Sequence, residues 1–176
     1  PSIAGTEISF NSKSGILNVT KHAEDICLNF PTDKPEPQKM DALFAEALGE
    51  SPIEILRGTD DFLAVFETEQ QIQAMNPDFS KLAKINSRGV VISAPGNDVD
   101  FVSRCFFPQT GVDEDPVTGS AHTMLIPYWA KQLDKIEFKA HQLSARGGAL
   151  DCKLINNRVL ISGKSVIYFE GMISII

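Results

Sequence analysis

The chain has 176 residues, of which 43% are hydrophobic and 22% are charged, and its 16 Lys and Arg against 23 Asp and Glu give a formal net charge of −7. This composition is typical of a globular protein. The acidic balance, without a Lys/Arg cluster, argues against a nucleic-acid backbone as partner, because phosphate binding requires a basic face.

The first third of the chain alternates between strand-like and linker-like segments. Residues 7–19, EISFNSKSGILNV, predict a hairpin that turns at Ser14-Gly15, and residues 25–31 predict a third strand. Residues 32–38, TDKPEPQ, contain two prolines and predict a linker or domain boundary. An amphipathic helix is expected over residues 40–49, ending at Gly49.

The middle and end of the chain continue the mixture of short strands and helices. We expect a helix over residues 67–85 that is broken at Asn76-Pro77. Residues 119–133 predict a central helix that is apolar on every side. The expected strands are 53–56, 62–66, 89–95, 101–107, 136–144 and 149–156, followed by two more within 158–176. This order predicts an α+β fold, a barrel-like mixed sheet wrapped around the central helix.

The three cysteines, Cys27, Cys105 and Cys152, lie far apart in apolar, strand-like runs. Their spacing shows no CxxC pair of a metal site. We therefore predict buried free thiols and a reducing cytoplasmic location, with no metal ligand among them. No run approaches the roughly 18 apolar residues of a membrane span.

The segment GVDEDPVTGSAHTMLIPYWA, residues 111–130, places charges directly before the apolar helix. The first N–H groups of a helix have no internal partner, and when buried they require a cap, water or an anion. Thr118 or Ser120 could cap them, while Gly119 removes the side chain that would keep a ligand away. With the helix dipole, this arrangement predicts a compact carboxylate site.

Each residue of this segment also has a purely structural interpretation. Asp115, Thr118 and Ser120 could do no more than cap the helix. Asp115 precedes Pro116, so its extended backbone could instead aim the carboxylate across the helix start. We expect Asp113 and Glu114 on a solvated rim. His122 is either a packed, hydrogen-bonded residue or part of the site.

The segment DFVSRCFFPQTGVDEDPVTGSAH, residues 100–122, resembles the PhzF-like, phenazine-biosynthesis-type isomerase family. The segments EISFNSKSGILNV, DDFLAVFETEQQIQAMNPDF, RGVVISAPG, SARGGALDCKL and RVLISGKSVIYFEG extend the resemblance along most of the chain. The resemblance implies the diaminopimelate-epimerase-like fold, in which two similar halves each wrap strands around a central helix. It further implies that the ligand lies between the two helix starts and that a homodimer is common. No cofactor is expected, because the sequence contains no metal, flavin, pyridoxal phosphate or nucleotide motif.

The resemblance also implies a domain division. Family members usually begin with a further stretch about the size of a small domain, which carries a Gly-His-Ala-Thr motif and the acid/base glutamate; no Gly-His-Ala-Thr occurs in this chain. Residues 1–31 are then expected to be remnant strands of an N-terminal domain and 32–38 a linker. Residues 39–176 would form the C-terminal domain, with its last strand free to return to the N-terminal one. We expect a homodimer or association with an N-terminal half.

The implied chemistry is isomerisation of a small carboxylate-bearing metabolite. Asp115 would orient the ligand or shuttle a proton, Gly119 and Ser120 would bind the carboxylate, and Thr118 and His122 would line the site. In epimerase relatives an acid/base cysteine stands where this chain has Thr118, so the resemblance implies one-base transfer. The chain alone is then expected to lack the catalytic glutamate. The alternative is a non-catalytic module that binds a small acid or another polypeptide.

Overall fold

The computed structural model describes residues 7–12, 15–22 and 25–172 as one mixed sheet with four α-helices. The eleven strands are β1 (Glu7–Ser12), β2 (Gly15–His22), β3 (Asp25–Pro31), β4 (Glu36–Pro37), β5 (Glu54–Arg57), β6 (Asp61–Val65), β7 (Gly89–Pro95), β8 (Phe101–Phe106), β9 (Glu137–Gln142), β10 (Gly148–Ile155) and β11 (Arg158–Lys164). The helices are α1 (Ala42–Leu48), α2 (Glu69–Ala74), α3 (Phe79–Leu82) and α4 (His122–Leu133).

The strand order is β1-β2-β3-β11-β10-β9-β8-β7-β6-β5-β4. The pairs β6–β7 and β8–β9 are parallel and the other pairs are antiparallel. A parallel pair needs a crossover connection. Helices α2 and α3 form the first crossover and α4 forms the second, so the predicted mixed α+β architecture is confirmed.

Helix α4 lies at the centre of the larger core. Met124, Leu125 and Ile126 are at most 2% exposed. Trp129 stacks on Phe101 with ring centroids 5.7 Å apart, and the core continues into strands on both sides of β8. The expected central helix is therefore present and buried, although it begins at His122 rather than at residue 119.

The first three helices cover the opposite face of the sheet. Phe44, Leu48 and Ile72 pack with alternate residues of β5 to β8 in a second core cluster. Strand β7 is consequently buried on both faces, which explains its continuous apolar run GVVISA. The helix expected over residues 40–49 is α1, and the one expected over residues 67–85 is divided into α2 and α3 around Asn76-Pro77. The side chains of Asp41, Thr68 and Asp78 cap the three helices.

The N-terminal hairpin extends the same sheet, since β3 pairs with β11 from Asp25–Lys164 to Pro31–Arg158. Leu28 and Phe30 pack against the core around α4. The division at residues 32–38 stays a prediction; within that segment, β4 pairs with β5.

The chain end differs from the expected pair of strands. Strand β11 is present, but residues 165–172 form no strand, and Val166 to Phe169 are at least 82% exposed. Residues 173–176, where that strand was expected to end, lie outside the described residues. In the described ranges, no helix is both long and apolar enough to span a membrane.

Candidate ligand site at the start of helix α4

The loop between β8 and α4 is held from several sides. It begins with a 3-10 turn over Pro108–Thr110 and continues to Asp115, whose N–H donates to the carbonyl oxygen of Cys105 at 3.0 Å. The side chain of Asp115 is half-buried and accepts a short hydrogen bond from the Thr118 hydroxyl. The carboxylate is therefore fixed beside the helix start.

The helix start leaves a group of backbone donors unused. The N–H groups of His122, Thr123 and Met124 donate to the carbonyls three residues before them, each at 3.1 Å. Within residues 25–172, the N–H groups of Gly119, Ser120 and Ala121 have no acceptor. Of the two interpretations, the side-chain cap by Thr118 or Ser120 is not formed, because the N-cap residue is Ala121 and no side chain caps α4.

Gln142 on β9 connects the loop to the sheet. Its side-chain oxygen accepts from the Thr118 N–H at 2.8 Å, and its amide nitrogen donates to the carbonyl of Asp115 at 2.7 Å and to the Thr118 hydroxyl at 3.2 Å. The fully buried Gln142 thus satisfies three polar groups. Because the Thr118 oxygen accepts from Gln142, its own proton is directed to Asp115.

Arg88, just before β7, lies on the other side of the helix start. It forms a two-pronged ion pair with the buried Asp61, and its Nη2 donates to the Ser120 hydroxyl oxygen at 3.2 Å. The guanidinium also lies 5.3 Å from the ring centre of Phe107. The hydrogen bonds that Arg88 donates to Asp61 raise the pKa of Arg88, so this guanidinium remains charged.

Two cavities meet at this point. A cavity of about 250 Å³ is lined by Asp115, Thr118, Ser120 and Arg88 with three neighbours. A second, of about 680 Å³, shares Arg88 and Ser120 and extends toward Asp33, Asp60 and Asp61. Three predicted site residues, Asp115, Thr118 and Ser120, therefore line one cavity.

The other two predicted site residues, Gly119 and His122, line neither cavity. A side chain at Gly119 would meet the Leu28 methyl at 3.1 Å, so β3 lies close to this residue. His122 is fully buried and lines neither cavity. Its Nδ1 lies 2.8 Å from the Thr118 carbonyl oxygen, and since a carbonyl only accepts, Nδ1 carries the proton. Burial lowers the pKa of His122 to about 4, so the ring is neutral near pH 7.

The expectation of a solvated rim is wrong for Glu114. Asp113 is exposed, but Glu114 accepts two hydrogen bonds from Arg104 at 2.8 and 3.0 Å. Arg104 also donates to the carbonyls of Ile72 and Met75. This ion pair ties the loop to the end of α2.

Sequence reasoning did not identify Arg88, Asp61 or Gln142. A charged residue beside a strand is common, and nothing in the pattern distinguishes Arg88 or Asp61. Gln142 had a weak signal, because it follows Phe138 and Ala140 at inward positions of an alternating strand. Only the parallel pairing of β8 with β9 brings it to the loop.

Comparisons with known proteins agree with this architecture. The family model described as phenazine biosynthesis-like protein matches residues 2–171. An uncharacterized isomerase of Pseudomonas aeruginosa is 46% identical over 96% of this chain and 65% of its own length. A solved PhzF-family phenazine biosynthesis protein of Enterococcus faecalis matches with a TM-score of 0.88 at 41% identity, over 96% of this chain and 65% of that one.

A more distant structure extends the likeness of fold. A predicted epimerase of Pseudomonas aeruginosa matches with a TM-score of 0.64 at 19% identity, over 93% of this chain and 65% of that one. The fold is thus diaminopimelate-epimerase-like. The chain spans just under two thirds of the length of the curated relatives it matches.

Proposed function

The chain belongs to the phenazine biosynthesis-like (PhzF) family, and on that basis we propose that it supplies the part of an isomerase site that holds a substrate carboxylate and presents Asp115 to it. The substrate class is a small carboxylate-bearing metabolite. Relatives described as isomerases support the reaction class. The observation that carries the ligand class is the group of unused donors before α4.

The donors are numerous enough for a carboxylate. The N–H groups of Gly119, Ser120 and Ala121 come from consecutive residues at the positive end of a twelve-residue helix. The hydroxyl of Ser120 accepts from Arg88 and keeps its own proton for an acceptor in the cavity. A planar anion with two oxygens can accept from several of these donors at once.

Asp115 is the group proposed to act on the bound molecule. It is the single carboxylate among the residues that line the 250 Å³ cavity. The hydroxyl of Thr118 donates to it, which leaves its other oxygen to face a ligand. Thr118 itself is a poor proton carrier near neutral pH, so proton transfer at this half of the site would pass through Asp115.

Thr118 and His122 are proposed to have different roles in the ligand site. Thr118 lines the cavity, but its proton is committed to Asp115 and its oxygen accepts from Gln142. His122 would act on the ligand indirectly, by holding the Thr118 carbonyl. Both would then shape the site that Asp115 and Ser120 present.

A non-catalytic small-acid-binding module is the second candidate. No glutamate lines either of the two cavities in the described part of the chain, and the resemblance assigns the acid/base glutamate to an N-terminal half. Both candidates need the same carboxylate site. They differ in whether the chain, joined by such a half, exchanges a substrate proton with solvent.

The carboxylate site is tested by titrating ¹⁵N-labelled protein with acetate. We expect the amide signals of Gly119, Ser120 and Ala121 to shift together and saturably. Ser120→Ala should weaken binding about tenfold or more, because a hydrogen bond to a charged group contributes roughly 1.5–3 kcal/mol. Ser87→Ala, whose hydroxyl donates to Gly89 outside both cavities, is the matched control. An acetate titration without shifts at these three amides would overturn the proposal.

A further inference from the structure

The ion pair beside the helix start is built more rigidly than a surface contact. Asp61 is 4% exposed and accepts from Nε of Arg88 at 2.9 Å and from its Nη2. The Arg88 side chain remains 37% exposed and lines both cavities. A permanently charged guanidinium therefore reaches the ligand space while a buried carboxylate neutralises it.

The charges around the cavities are mostly negative. Their lining residues include one arginine, Arg88, against four aspartates and no lysine, which gives a net charge of −3. The four are Asp33, Asp60, Asp61 and Asp115. A ligand anion is consequently not attracted by net positive charge. The donors available to an anion are the unused backbone N–H groups at the start of α4, the Ser120 hydroxyl and the exposed part of Arg88.

We propose that the Asp61–Arg88 pair determines the charge selectivity of the site, so that it accepts a single carboxylate and excludes phosphates and dicarboxylates. The inference rests on the proposed function, because it concerns the same ligand site. Directional donors can satisfy one carboxylate without net positive charge. A second negative charge would face Asp60, Asp61 and Asp115 with no free cation among the residues lining the two cavities.

The unmodified protein gives the first test. Affinities for acetate, malonate and inorganic phosphate are measured at pH 8 by the amide shifts of Gly119, Ser120 and Ala121. Acetate should bind more tightly than either doubly charged anion. A protein that binds phosphate or malonate more tightly than acetate would overturn the inference, and this comparison requires no variant.

Asp61→Asn gives the sharper test, since it keeps the shape and removes the neutralising charge. We expect phosphate to bind at least roughly tenfold more tightly, because one charge that repels it is removed, while acetate changes less. Asp60→Asn is the matched control: Asp60 is exposed and makes no side-chain hydrogen bond to Arg88, although its carboxylate contributes to the charge around it. Because Asp60 does not pair with Arg88, its variant should raise phosphate affinity less than Asp61→Asn does. The double variant Asp61→Asn/Arg88→Gln should lose the gain in phosphate binding.

The outcomes distinguish failure of the proposed carboxylate site from failure of the proposed charge selectivity. If acetate shifts no amide at the helix start in the unmodified protein, the ligand site and this inference both fail. If acetate binds there but Asp61→Asn leaves phosphate affinity unchanged, only the charge-selectivity role of the pair fails. A gain in phosphate affinity is a result that mere loss of structure would not produce.

Discussion

The backbone N–H of Asp33 donates a hydrogen bond to the carbonyl oxygen of Thr123 at 3.0 Å. Within α4 this carbonyl would normally accept from residue 127, but that residue is Pro127, which has no N–H. The segment after β3 thus completes the hydrogen bonding of the central helix. Asp33 continues the connection with its side chain, which accepts from the N–H and hydroxyl of Thr59 at 2.9 and 3.0 Å.

Asp33→Ala should lower the free energy of unfolding by about 1–2 kcal/mol, because two hydrogen bonds to the carboxylate are lost at a partly exposed position. Urea denaturation measures the change. Lys34→Ala, at an exposed neighbour, is the control and should be nearly neutral. Equal midpoints for both variants would show that the Asp33 carboxylate does not hold the segment.

Trp129→Ala should destabilise the protein by about 3–5 kcal/mol, as expected for a large aromatic deletion in a core. Trp129 is 4% exposed, and its Nε1 donates to Ser93 at 3.0 Å. Trp129→Phe keeps a ring on Phe101 but loses the donor, so its cost should be smaller. A loss below about 1 kcal/mol for the alanine variant is typical of surface positions and would contradict the central place of α4.

His122 should make stability depend on pH. Burial lowers its pKa from 6.5 to about 4, so between these values the unfolded chain binds a proton that the native ring does not. The contribution is fully present above pH 6.5 and is lost as the pH falls toward 4, by up to roughly 3 kcal/mol. Urea midpoints across this range measure it. His122→Asn should flatten the dependence, whereas His141→Asn, at an exposed position, should preserve it; equal slopes in the native protein and His122→Asn would contradict the assignment.

Asp115→Asn distinguishes proton transfer from orientation. If Asp115 transfers the proton, solvent deuterium incorporation into a carboxylic acid substrate should fall about 10²–10⁴-fold with similar affinity. If it only orients the ligand, the loss should appear in affinity. The assay combines this chain with the N-terminal half of a relative, and the chain alone is expected to show no exchange. Exchange by the lone chain would refute the idea that the other half supplies the essential base.

Self-association is expected from the exposed apolar surface. Phe10 and Ile16 of the hairpin are 51% and 55% exposed, and Tyr168 near the chain end is fully exposed. Apolar patches of this kind commonly mark interfaces, which agrees with the expected homodimer or docking of an N-terminal half. Sedimentation velocity over a range of concentrations measures the state. A monomer at high concentration would count against this expectation.

The sequence predicts the elements of this protein better than the contacts between them. The apolar run after His122 identifies the central helix, and the expected break at Asn76-Pro77 separates α2 from α3. The prediction of a strand is wrong for residues 165–172. An alternating apolar pattern shows that a strand can form, but it does not show that a neighbouring strand is present to pair with it. Glu114 was misplaced because its partner, Arg104, belongs to β8.

In the candidate site, too, the sequence predicts the local features but not the contacts between distant segments. The pattern around Gly119 predicts donors at a helix start, since helix geometry alone leaves them unpaired. Arg88 and Asp61 reach the site only through the pairing of β6 with β7, which places Asp61 opposite Gly89. Long-range register of this kind is set by the whole sheet and is not encoded in a local pattern.

The position of Gln142 has a consequence for the order of folding. The loop residues that it holds, Asp115 and Thr118, precede it by 27 and 24 residues. The crossover through α4 must therefore close, at the entropic cost of a long loop, before those hydrogen bonds can form. The site should therefore be assembled after this crossover has formed, and an anion that binds there will stabilise the completed sheet against unfolding.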